Sequence, residues 1–275
     1  MKSVLSIQSA VTIGAVGNTM ASLVMAAAGH HLCRVDTIQL AAHPGYGFRA
    51  GGSIDDQAFA DMLDGIERLN PDFAALMTGY IGSPGQIDPL AALISRFRTA
   101  RGEITATPPP VIIDPAIGDN GRLYIDPAIA NGISTHLLPL ADIITPNQFE
   151  LGWLTGSEIS NRDDAVDAAR KVLSLHHGMQ AVVLTGLVDQ QQVCDAVITR
   201  GEKEFFENPG MSRGFPGGGD LFTAILVAGL VDGMPRDAAV KRASQTCNAI
   251  LNASHLAGSV EIQIAAVTGM INPGG

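Results

Sequence analysis

Short apolar runs alternate with longer helical segments along the whole chain, and this order is the strongest constraint on its fold. Parallel strands cannot be joined by tight turns and need crossover segments, which are usually helices. The alternation therefore predicts an α/β protein whose central, mostly parallel sheet is covered by helices on both faces. We predict strands at Val4–Ile7, Val35–Leu40, Phe73–Met77, Val111–Ile113, Ile143–Ile144, Ala181–Leu184, Val193–Thr199 and Lys203–Glu207, the last two as an antiparallel edge hairpin around Gly201. We predict helices at Asn18–Ala28, Asp55–Leu69, Pro89–Ala100, Arg162–Leu175, Asp220–Val231 and Arg236–Asn252.

The composition excludes disordered chains and disulfide-rich scaffolds. Of the 275 residues, 46% are hydrophobic and 16% are charged, which is typical of a globular protein. A chain of this length can close around one core, and we expect residues 1–275 to form a single domain. Cys33, Cys194 and Cys247 lie far apart and form no CxxC pair, which favours reduced thiols. The segment from Asn272 to Gly275 is expected to fray.

The charge balance argues against nucleic acids as partners. The chain has 17 Lys and Arg against 27 Asp and Glu, a formal charge of −10, and its basic residues are not clustered. The sequence contains no run of about 20 apolar residues of the kind that crosses a membrane, and its first apolar run is too short for a signal peptide. We therefore expect a cytoplasmic protein without a membrane partner.

Three consecutive glycines precede an apolar helix in the segment Gly217-Gly218-Gly219-Asp220. Glycine lets the backbone approach a ligand closely, and a helix start directs N–H groups and a positive dipole end at that ligand. The segment therefore predicts an anion-binding turn. A tight loop with Asp220 as the helix N-cap is the alternative, although capping does not require three glycines. An acid at an anion site suggests a general base that deprotonates a phosphate-accepting hydroxyl.

A second candidate site follows the predicted strand Ile143–Ile144, in the segment Thr145-Pro146-Asn147-Gln148-Phe149-Glu150. Thr145 as N-cap, Pro146 in the first helical position and Gln148 in a capping box predict a helix start here. Asn147 and Glu150 then share one face of that helix, and their oxygens suit Mg²⁺ held through water. A capped surface helix with solvated polar residues explains the same spacing equally well.

A third candidate is Asp114, which follows the predicted strand Val111–Ile113 at the point where ligands collect in open α/β sheets. Pro115 favours an extended Asp114 at the strand tip. The nearby Asp119-Asn120-Gly121 has the composition of an ordinary turn. We therefore predict that Asp114, rather than Asp119, takes part in the site.

The segment Gly45-Tyr46-Gly47-Phe48-Arg49-Ala50 matches the letters of a dinucleotide-binding fingerprint. That motif requires a helix start for the pyrophosphate, whereas Gly51-Gly52-Ser53 follows here. We therefore expect a mobile loop rather than a Rossmann site.

Together, and in this order along the chain, the three candidate segments resemble the ribokinase superfamily, and specifically its pyridoxal kinase family. The resemblance extends to Leu5-Ser6-Ile7-Gln8-Ser9, Gly14-Ala15-Val16-Gly17-Asn18, Thr37-Ile38-Gln39, His43-Pro44-Gly45-Tyr46-Gly47 and Thr78-Gly79-Tyr80-Ile81-Gly82-Ser83. It implies a ribokinase-like three-layer α/β/α sandwich, which is typically a homodimer. It also implies ATP-dependent phosphorylation of the 5′-hydroxyl of pyridoxal or a related B6 vitamer.

The resemblance also implies roles for individual residues. Asp220 would be the general base, and the amides of Gly217, Gly218 and Gly219 would form the anion hole. Asn147 and Glu150 would position Mg²⁺ through water, with Asp114 near the phosphates or the metal, and Thr185 would face the nucleotide. On the substrate side the expected residues are Ser9 at the pyridine ring, His43, and Val16, Tyr80 and Tyr124 as lining or closing groups. The loop at Gly45–Ser53 would be a substrate-side flap, and a monovalent cation requirement stays open.

Three positions depart from the family pattern. Ala10 and Ala15 stand where the family commonly has histidines, and Pro44 stands where it commonly has threonine. Pro44 lacks both a hydroxyl and a backbone N–H, so a hydrogen bond to the vitamer is lost and affinity or vitamer preference should change before catalysis does. A hydroxymethylpyrimidine or sugar kinase, and a vitamer-binding protein with little turnover, remain alternatives.

Overall fold

The computed structural model describes residues 1–102, 108–209 and 215–271, in which strands and helices alternate as predicted. The strands are β1 (Ser3–Ile13), β2 (His31–Ala42), β3 (Gly51–Ser53), β4 (Phe73–Thr78), β5 (Val111–Ile113), β6 (Gly118–Asp119), β7 (Arg122–Leu123), β8 (Ile143–Ile144), β9 (Ala181–Asp189), β10 (Gln192–Ile198) and β11 (Lys203–Glu207). The α-helices are α1 (Gly17–Ala27), α2 (Asp56–Leu69), α3 (Ile87–Gly102), α4 (Pro127–Gly132), α5 (Gln148–Thr155), α6 (Arg162–Leu175), α7 (Gly218–Val231), α8 (Arg236–Leu256) and α9 (Ile264–Ile271). Short 3₁₀ or π turns lie at Pro44–Tyr46, Pro84–Gln86, Ile133–Leu137 and Leu138–Leu140.

Nine strands of the described chain pair in one sheet, in the order β11-β10-β9-β8-β5-β4-β1-β2-β3. The six strands from β9 to β2 in that order are parallel, whereas β3, β10 and β11 pair antiparallel at the two edges. The mostly parallel sheet and the antiparallel hairpin around Gly201 are therefore confirmed. The strands β6 and β7 form a separate hairpin, whose turn places Asn120 and Gly121 at positive φ.

Every predicted strand and helix is present, although several boundaries were wrong. The strand β1 continues beyond the predicted end at Ile7 to Ile13, through a mixture of polar and apolar residues that does not extend the apolar run. Gly51–Ser53, predicted as part of a mobile loop, pairs with β2 as the edge strand β3. The helices α4 and α9 were missed. Gly214, which precedes the glycine run, and the predicted frayed segment Asn272–Gly275 lie outside the described residues.

Helices cover the sheet on both faces, which completes three layers. The helices α2 to α6 pack on one face against β-strand residues such as Ile7 and Leu76, and α1, α7, α8 and α9 pack on the other against residues such as Ala75 and Met77. In α7 every residue from Leu221 to Gly229 is buried, which is characteristic of a helix enclosed on all sides. The position of the α7 N-terminus is therefore fixed by the surrounding core.

Two further expectations concern the cysteines and membranes. Cys33, Cys194 and Cys247 are free thiols as predicted, with Cys194 and Cys247 buried and Cys33 partly exposed. In the described ranges, none of the helices combines the length and apolar character needed to traverse a bilayer.

The candidate functional residues meet at one edge because parallel strands end on the same side of a sheet. The chain leaves β1 for β2 on one side and later returns to β4 on the other side, so a crevice opens at the carboxyl ends of β1 and β4. Asp114 follows β5 and Asn147 follows β8, at the same edge. The topology therefore brings together segments that are far apart in sequence.

Candidate active site

The glycine turn packs directly against the segment that follows β1. Gly217 is the N-cap of α7 with φ +84°, and a Cβ on it would lie 2.5 Å from the Ala15 carbonyl oxygen. Only glycine fits both the left-handed backbone and this close approach. The N–H of Gly218 donates to the Phe215 carbonyl at 3.0 Å, so in this conformation it closes the turn instead of facing the cleft. The N–H of Gly219 lies in the first turn of the helix, where amides lack intrahelical partners.

Asp220 lies in that first helical turn, and its side chain is partly exposed at the edge of the sheet. Its Oδ2 accepts a hydrogen bond from the N–H of Gly17 at 2.8 Å. Burial raises the pKa of Asp220, and the Gly17 hydrogen bond opposes that increase. Asp220 is therefore held in one orientation, as a carboxylate with increased proton affinity.

Asp114 lies beside the glycine turn at the end of β5. Its Oδ2 is 3.6 Å from the position of a Cβ on Gly219 and accepts from the Thr223 hydroxyl at 3.4 Å. Asp114 is 8% exposed, and its burial, followed by the nearby carboxylates of Glu150 and Asp220, raises its pKa well above the usual value. Asp114 is therefore repelled by two neighbouring carboxylates, one at the start of α5 and one at the start of α7.

Asn147 and Glu150 form a reciprocal capping box at the start of α5. The N–H of Glu150 donates to Asn147 Oδ1, and the N–H of Asn147 donates to Glu150 Oε2, both at 2.9 Å. The predicted N-cap at Thr145 was wrong, because the capping partner is Glu150 rather than Gln148. Thr145 instead shares a hydrogen bond of 2.9 Å with Thr223.

The Glu150 carboxylate is almost fully enclosed by backbone donors. Besides Asn147 it accepts from the N–H groups of Ile117 and Gly118, at 2.9 and 3.4 Å. It is 2% exposed, and burial raises its pKa to about 7 although these hydrogen bonds lower it. Glu150 therefore fixes the loop after Asp114 and has little free lone-pair capacity for a metal.

The donor set at this edge fits a hard divalent cation that is held through water. Within the described ranges no three His, Cys, Asp or Glu side chains are arranged to hold a metal ion directly. Carboxylate oxygens are nevertheless the ligands that Mg²⁺ prefers, and a cation would relieve the repulsion that raises the pKa of Asp114. The residues present therefore suit water-mediated Mg²⁺ better than an enclosed protein cage.

Thr185 lies next to the α5 start, on the predicted nucleotide side. It pairs with Asn147 in a parallel bridge, and its N–H donates to the Pro146 carbonyl at 3.0 Å. Thr185 was predicted at the end of its strand, but β9 continues to Asp189. The residue after it, Gly186, has φ +63°, so the strand is irregular at this point.

On the predicted substrate side, Ser9 and Gly17 are in direct contact. A Cβ on Gly17 would overlap the Ser9 backbone and hydroxyl, which requires glycine at that position. The rings of Tyr80 and Tyr124 stack with centroids 6.2 Å apart, and Tyr124 is 50% exposed. Val16 is partly exposed next to the glycine turn. Ser9 and Val16 therefore lie near Asp220, because Gly17 contacts Ser9, follows Val16 and donates to Asp220. Tyr80 follows β4 and Tyr124 follows β7.

His43 does not offer a free ring nitrogen to a ligand. Its Nδ1 accepts from the Gly45 N–H at 3.1 Å, so Nε2 carries the proton that is donated to Glu261 at 2.8 Å. Both ring nitrogens therefore have protein partners, and the substrate-binding role of His43 stays a prediction. No local sequence pattern points to Glu261, which lies between α8 and α9.

Comparisons with known proteins identify the family of this chain. A family model described as phosphomethylpyrimidine kinase matches residues 75–264. A pyridoxine/pyridoxal/pyridoxamine kinase from Bordetella avium is 34% identical over 266 residues, which cover 94% of this chain and 88% of that protein. The chain belongs to the pyridoxal kinase family. A second member of the pyridoxal kinase family, a pyridoxal kinase from Deinococcus radiodurans, is 31% identical over 279 residues, covering 98% of this chain and 92% of that protein.

A solved structure of the pyridoxal kinase family supports the fold assignment. Pyridoxal kinase from Leishmania donovani in complex with ADP and ginkgotoxin superposes with a TM-score of 0.89 at 27% identity, over 98% of this chain and 96% of that chain. The three-layer arrangement predicted from the sequence is therefore the ribokinase-like fold.

We expect Glu150→Gln to loosen the loop after Asp114. An amide accepts with one oxygen only, so its NH₂ group would face a backbone N–H and leave that donor unpaired. The free energy of unfolding should fall by about 1–3 kcal/mol. Hydrogen exchange at the amides of Ile117 and Gly118 should accelerate at about pH 8, where Glu150 is mostly ionised.

The exposed Glu158 provides a matched control for this change. Glu158→Gln should leave both the urea midpoint and the exchange rates unchanged. Equal unfolding midpoints for the two variants would contradict the assignment of Glu150 as the residue that fixes the loop.

Proposed function

We propose that this protein phosphorylates the 5′-hydroxyl of pyridoxal, or of a related B6 vitamer, with ATP as phosphoryl donor. The observation that carries the proposal is the partly exposed Asp220 carboxylate in the first turn of α7, held by the Gly17 N–H at 2.8 Å. The same turn carries the glycine amides, and Gly17 contacts Ser9. The related proteins that are named as pyridoxal kinases, and the solved complex of one pyridoxal kinase with ADP, support the same activity.

In this mechanism Asp220 removes the proton of the acceptor alcohol. The Gly17 N–H occupies one carboxylate oxygen, so the other oxygen is available to the hydroxyl. As the O–H bond breaks, the alcohol oxygen bonds to the γ-phosphorus of ATP, and the bond from that phosphorus to the bridging oxygen of ADP breaks. The helix dipole and the first-turn amide of Gly219 stabilise the charge on the transferred phosphoryl group.

We further propose that Mg²⁺ binds with the nucleotide. Asp114 would hold it through water, with Asn147 and Glu150 fixing the loop and helix start around it. When bound, the cation supplies positive charge against the phosphates and the clustered carboxylates. Thr185 would contact the nucleotide beside the α5 start. A requirement for a monovalent cation is not part of this proposal.

The acceptor alcohol has one competing assignment within the superfamily. The matching family model is described as phosphomethylpyrimidine kinase, so a hydroxymethylpyrimidine is a second candidate acceptor. The stacked pair Tyr80 and Tyr124 and the position of Ser9 suit an aromatic ring in either case. Pro44 offers no N–H donor to the substrate, so we expect lower affinity for some vitamers and little change in kcat. A panel of B6 vitamers, hydroxymethylpyrimidine and sugars separates these acceptors.

We propose that a single domain of this kind acts as a cytoplasmic homodimer. A groove of about 760 Å³ beside the end of β1 is lined by residues of α1 and α9, among them the exposed Ile264. A second copy seated there would bury this apolar side chain. Sedimentation should give twice the 28.6 kDa chain mass, and Ile264→Glu should shift it to the monomer. A monomer at working concentration for the unmodified chain would end this part of the proposal.

The activity itself is tested with the purified protein, MgATP and pyridoxal. Formation of pyridoxal 5′-phosphate is expected, and Asp220→Asn should reduce kcat by about 100-fold or more with pyridoxal binding nearly unchanged. If no vitamer is phosphorylated, the kinase assignment fails. Tight vitamer binding without turnover, unaffected by Asp220→Asn, would instead identify a binding protein.

The pH profile gives an independent check on Asp220. A general base acts only when it is ionised, so kcat should fall as the pH falls through the pKa of Asp220. Burial raises that pKa above the ordinary value of 3.8, and the acidic limb should therefore lie at a higher pH than for an exposed aspartate. The residual activity of Asp220→Asn should lack this limb. A limb that persists in that variant would assign the titration to another group.

Gly217→Ala tests the contact between the glycine turn and the β1 end. The new Cβ would meet the Ala15 carbonyl at 2.5 Å, so the turn must move and kcat should fall by about 10-fold or more. Gly233→Ala is the matched control, because Gly233 also has a positive φ but open space around its Cβ position. Both variants should lose about 1 kcal/mol of stability from backbone strain, and only Gly217→Ala should lose activity. Equal activities would show that the close approach at residue 217 has no role in turnover.

A further inference from the structure

A buried polar cluster lies behind the nucleotide side of the site, outside the segments that carry the family resemblance. Its centre is Asp195 on β10, which is 5% exposed. Asp195 Oδ1 accepts from the Gly186 N–H at 2.9 Å, and Oδ2 accepts from Asn208 Nδ2 and the Ser244 hydroxyl, each at 2.7 Å. Asn208 and Ser244 are also buried, at 6% and 1% exposure. One carboxylate therefore joins three separate elements.

The first of these elements is an irregularity in β9 beside Thr185. Leu187 pairs with Cys194 and Leu184 pairs with Ala196, so two residues of β9 lie opposite the single residue Asp195. The second of those two, Gly186, has φ +63°, as in a bulge with glycine in the left-handed region. Bulges redirect side chains, and here the redirected residue is Thr185. The Asp195 carboxylate fixes the bulge by accepting the Gly186 N–H.

The other two elements are the residues after β11 and the helix α8. Asn208 follows β11, and its Oδ1 lies 3.2 Å from the Ser244 hydroxyl. Ser244 lies on α8, one turn before Cys247, whose thiol lies 3.7 Å from the Gly218 carbonyl oxygen. The same carboxylate therefore contacts the Thr185 side and, through Ser244, the helix α8 that contacts the anion-binding turn. These are the two parts of the site that a nucleoside triphosphate would span.

We propose that Asp195 is a positioning residue for the nucleotide, which sets the relative placement of Thr185 and the glycine turn without touching the ligand. The inference rests on the proposed function, because it assumes that a nucleotide binds between these two parts. A carboxylate is required at residue 195, since three donors converge on two acceptor oxygens. An amide would accept with one oxygen and present its own NH₂ group to a donor, so one of the three elements would be released.

The test compares Asp195→Asn with Asp142→Asn in the full chain. Asp142 is a matched control because it is 6% exposed and accepts from the Val111 N–H at 2.8 Å and from Arg98 at 3.0 Å. It precedes β8 and therefore lies at the opposite, amino-terminal edge of the sheet. Both variants remove one charge from a buried, hydrogen-bonded aspartate, so a general loss of stability should affect both.

Four quantities are measured for each variant: Kd for ADP by calorimetry, and KM for ATP, KM for pyridoxal and kcat in the kinase assay. Asp195→Asn should raise Kd for ADP and KM for ATP by about 10-fold, with KM for pyridoxal and kcat within about twofold of the unmodified protein. Asp142→Asn should leave all of these values within about twofold. If Asp195→Asn does not fold, Ser244→Ala removes one donor only and should raise Kd for ADP by a smaller factor.

The outcomes separate this inference from the proposed function. Suppose that the unmodified protein phosphorylates pyridoxal and binds ADP. If Asp195→Asn, or Ser244→Ala in its place, then has the same Kd for ADP as Asp142→Asn, the positioning role is wrong and the kinase assignment stands. A similar fall in kcat and a similar rise in both KM values in the two aspartate variants would also overturn the positioning role, since that result indicates a structural role alone. If the unmodified protein neither binds ADP nor turns over, the proposed function fails and this inference with it.

Discussion

The organisation of the site depends on one hydrogen bond, from the Gly17 N–H to Asp220 Oδ2. It joins the segment after the central strand β1 to the first turn of α7, two parts of the chain that are 203 residues apart. Neither partner can shift easily, because α7 is buried on all sides and Gly17 packs against Ser9. The position of the Asp220 carboxylate is thus set by the core of the protein and not by a flexible loop.

Three carboxylates lie close together at the same edge of the sheet, and their charges need compensation. Asp114, Glu150 and Asp220 are offset in part by backbone donors, of which Glu150 has three and Asp220 has one. Burial still raises the pKa values of all three groups, and the charges of Glu150 and Asp220 raise that of Asp114 further. Backbone amides cannot move away as solvent does, so they fix these carboxylates in place while leaving a negative field that favours a cation.

The central strands could be predicted because buried parallel strands are continuous apolar runs, and the helices between them follow from the crossover rule. The ends of elements were harder, since they depend on neighbours. The strand β3 consists of Gly51, Gly52 and Ser53, which have no β-propensity, and it exists because the edge of β2 offers hydrogen-bond partners. At the start of α5 the sequence allows two capping boxes, Thr145 with Gln148 and Asn147 with Glu150. The N–H groups of Ile117 and Gly118 donate to Glu150 and so favour the second.

The motifs pointed to Asp114 after β5 and to Asp220 in the first turn of α7, and the structure places these two residues close together. Glu261 and Asp195 contact partners far along the chain, so no local pattern reveals them.

The pair formed by His43 and Glu261 connects the carboxyl-terminal part of the chain to the substrate side. Glu261 lies three residues before α9, and α9 packs on α1, which starts at Gly17. A truncation that removes α9 would therefore loosen Glu261 and, with it, His43 on the substrate side. An extension ahead of β1 would emerge at the opposite, amino-terminal edge of the sheet, which makes that side a suitable place for an affinity tag.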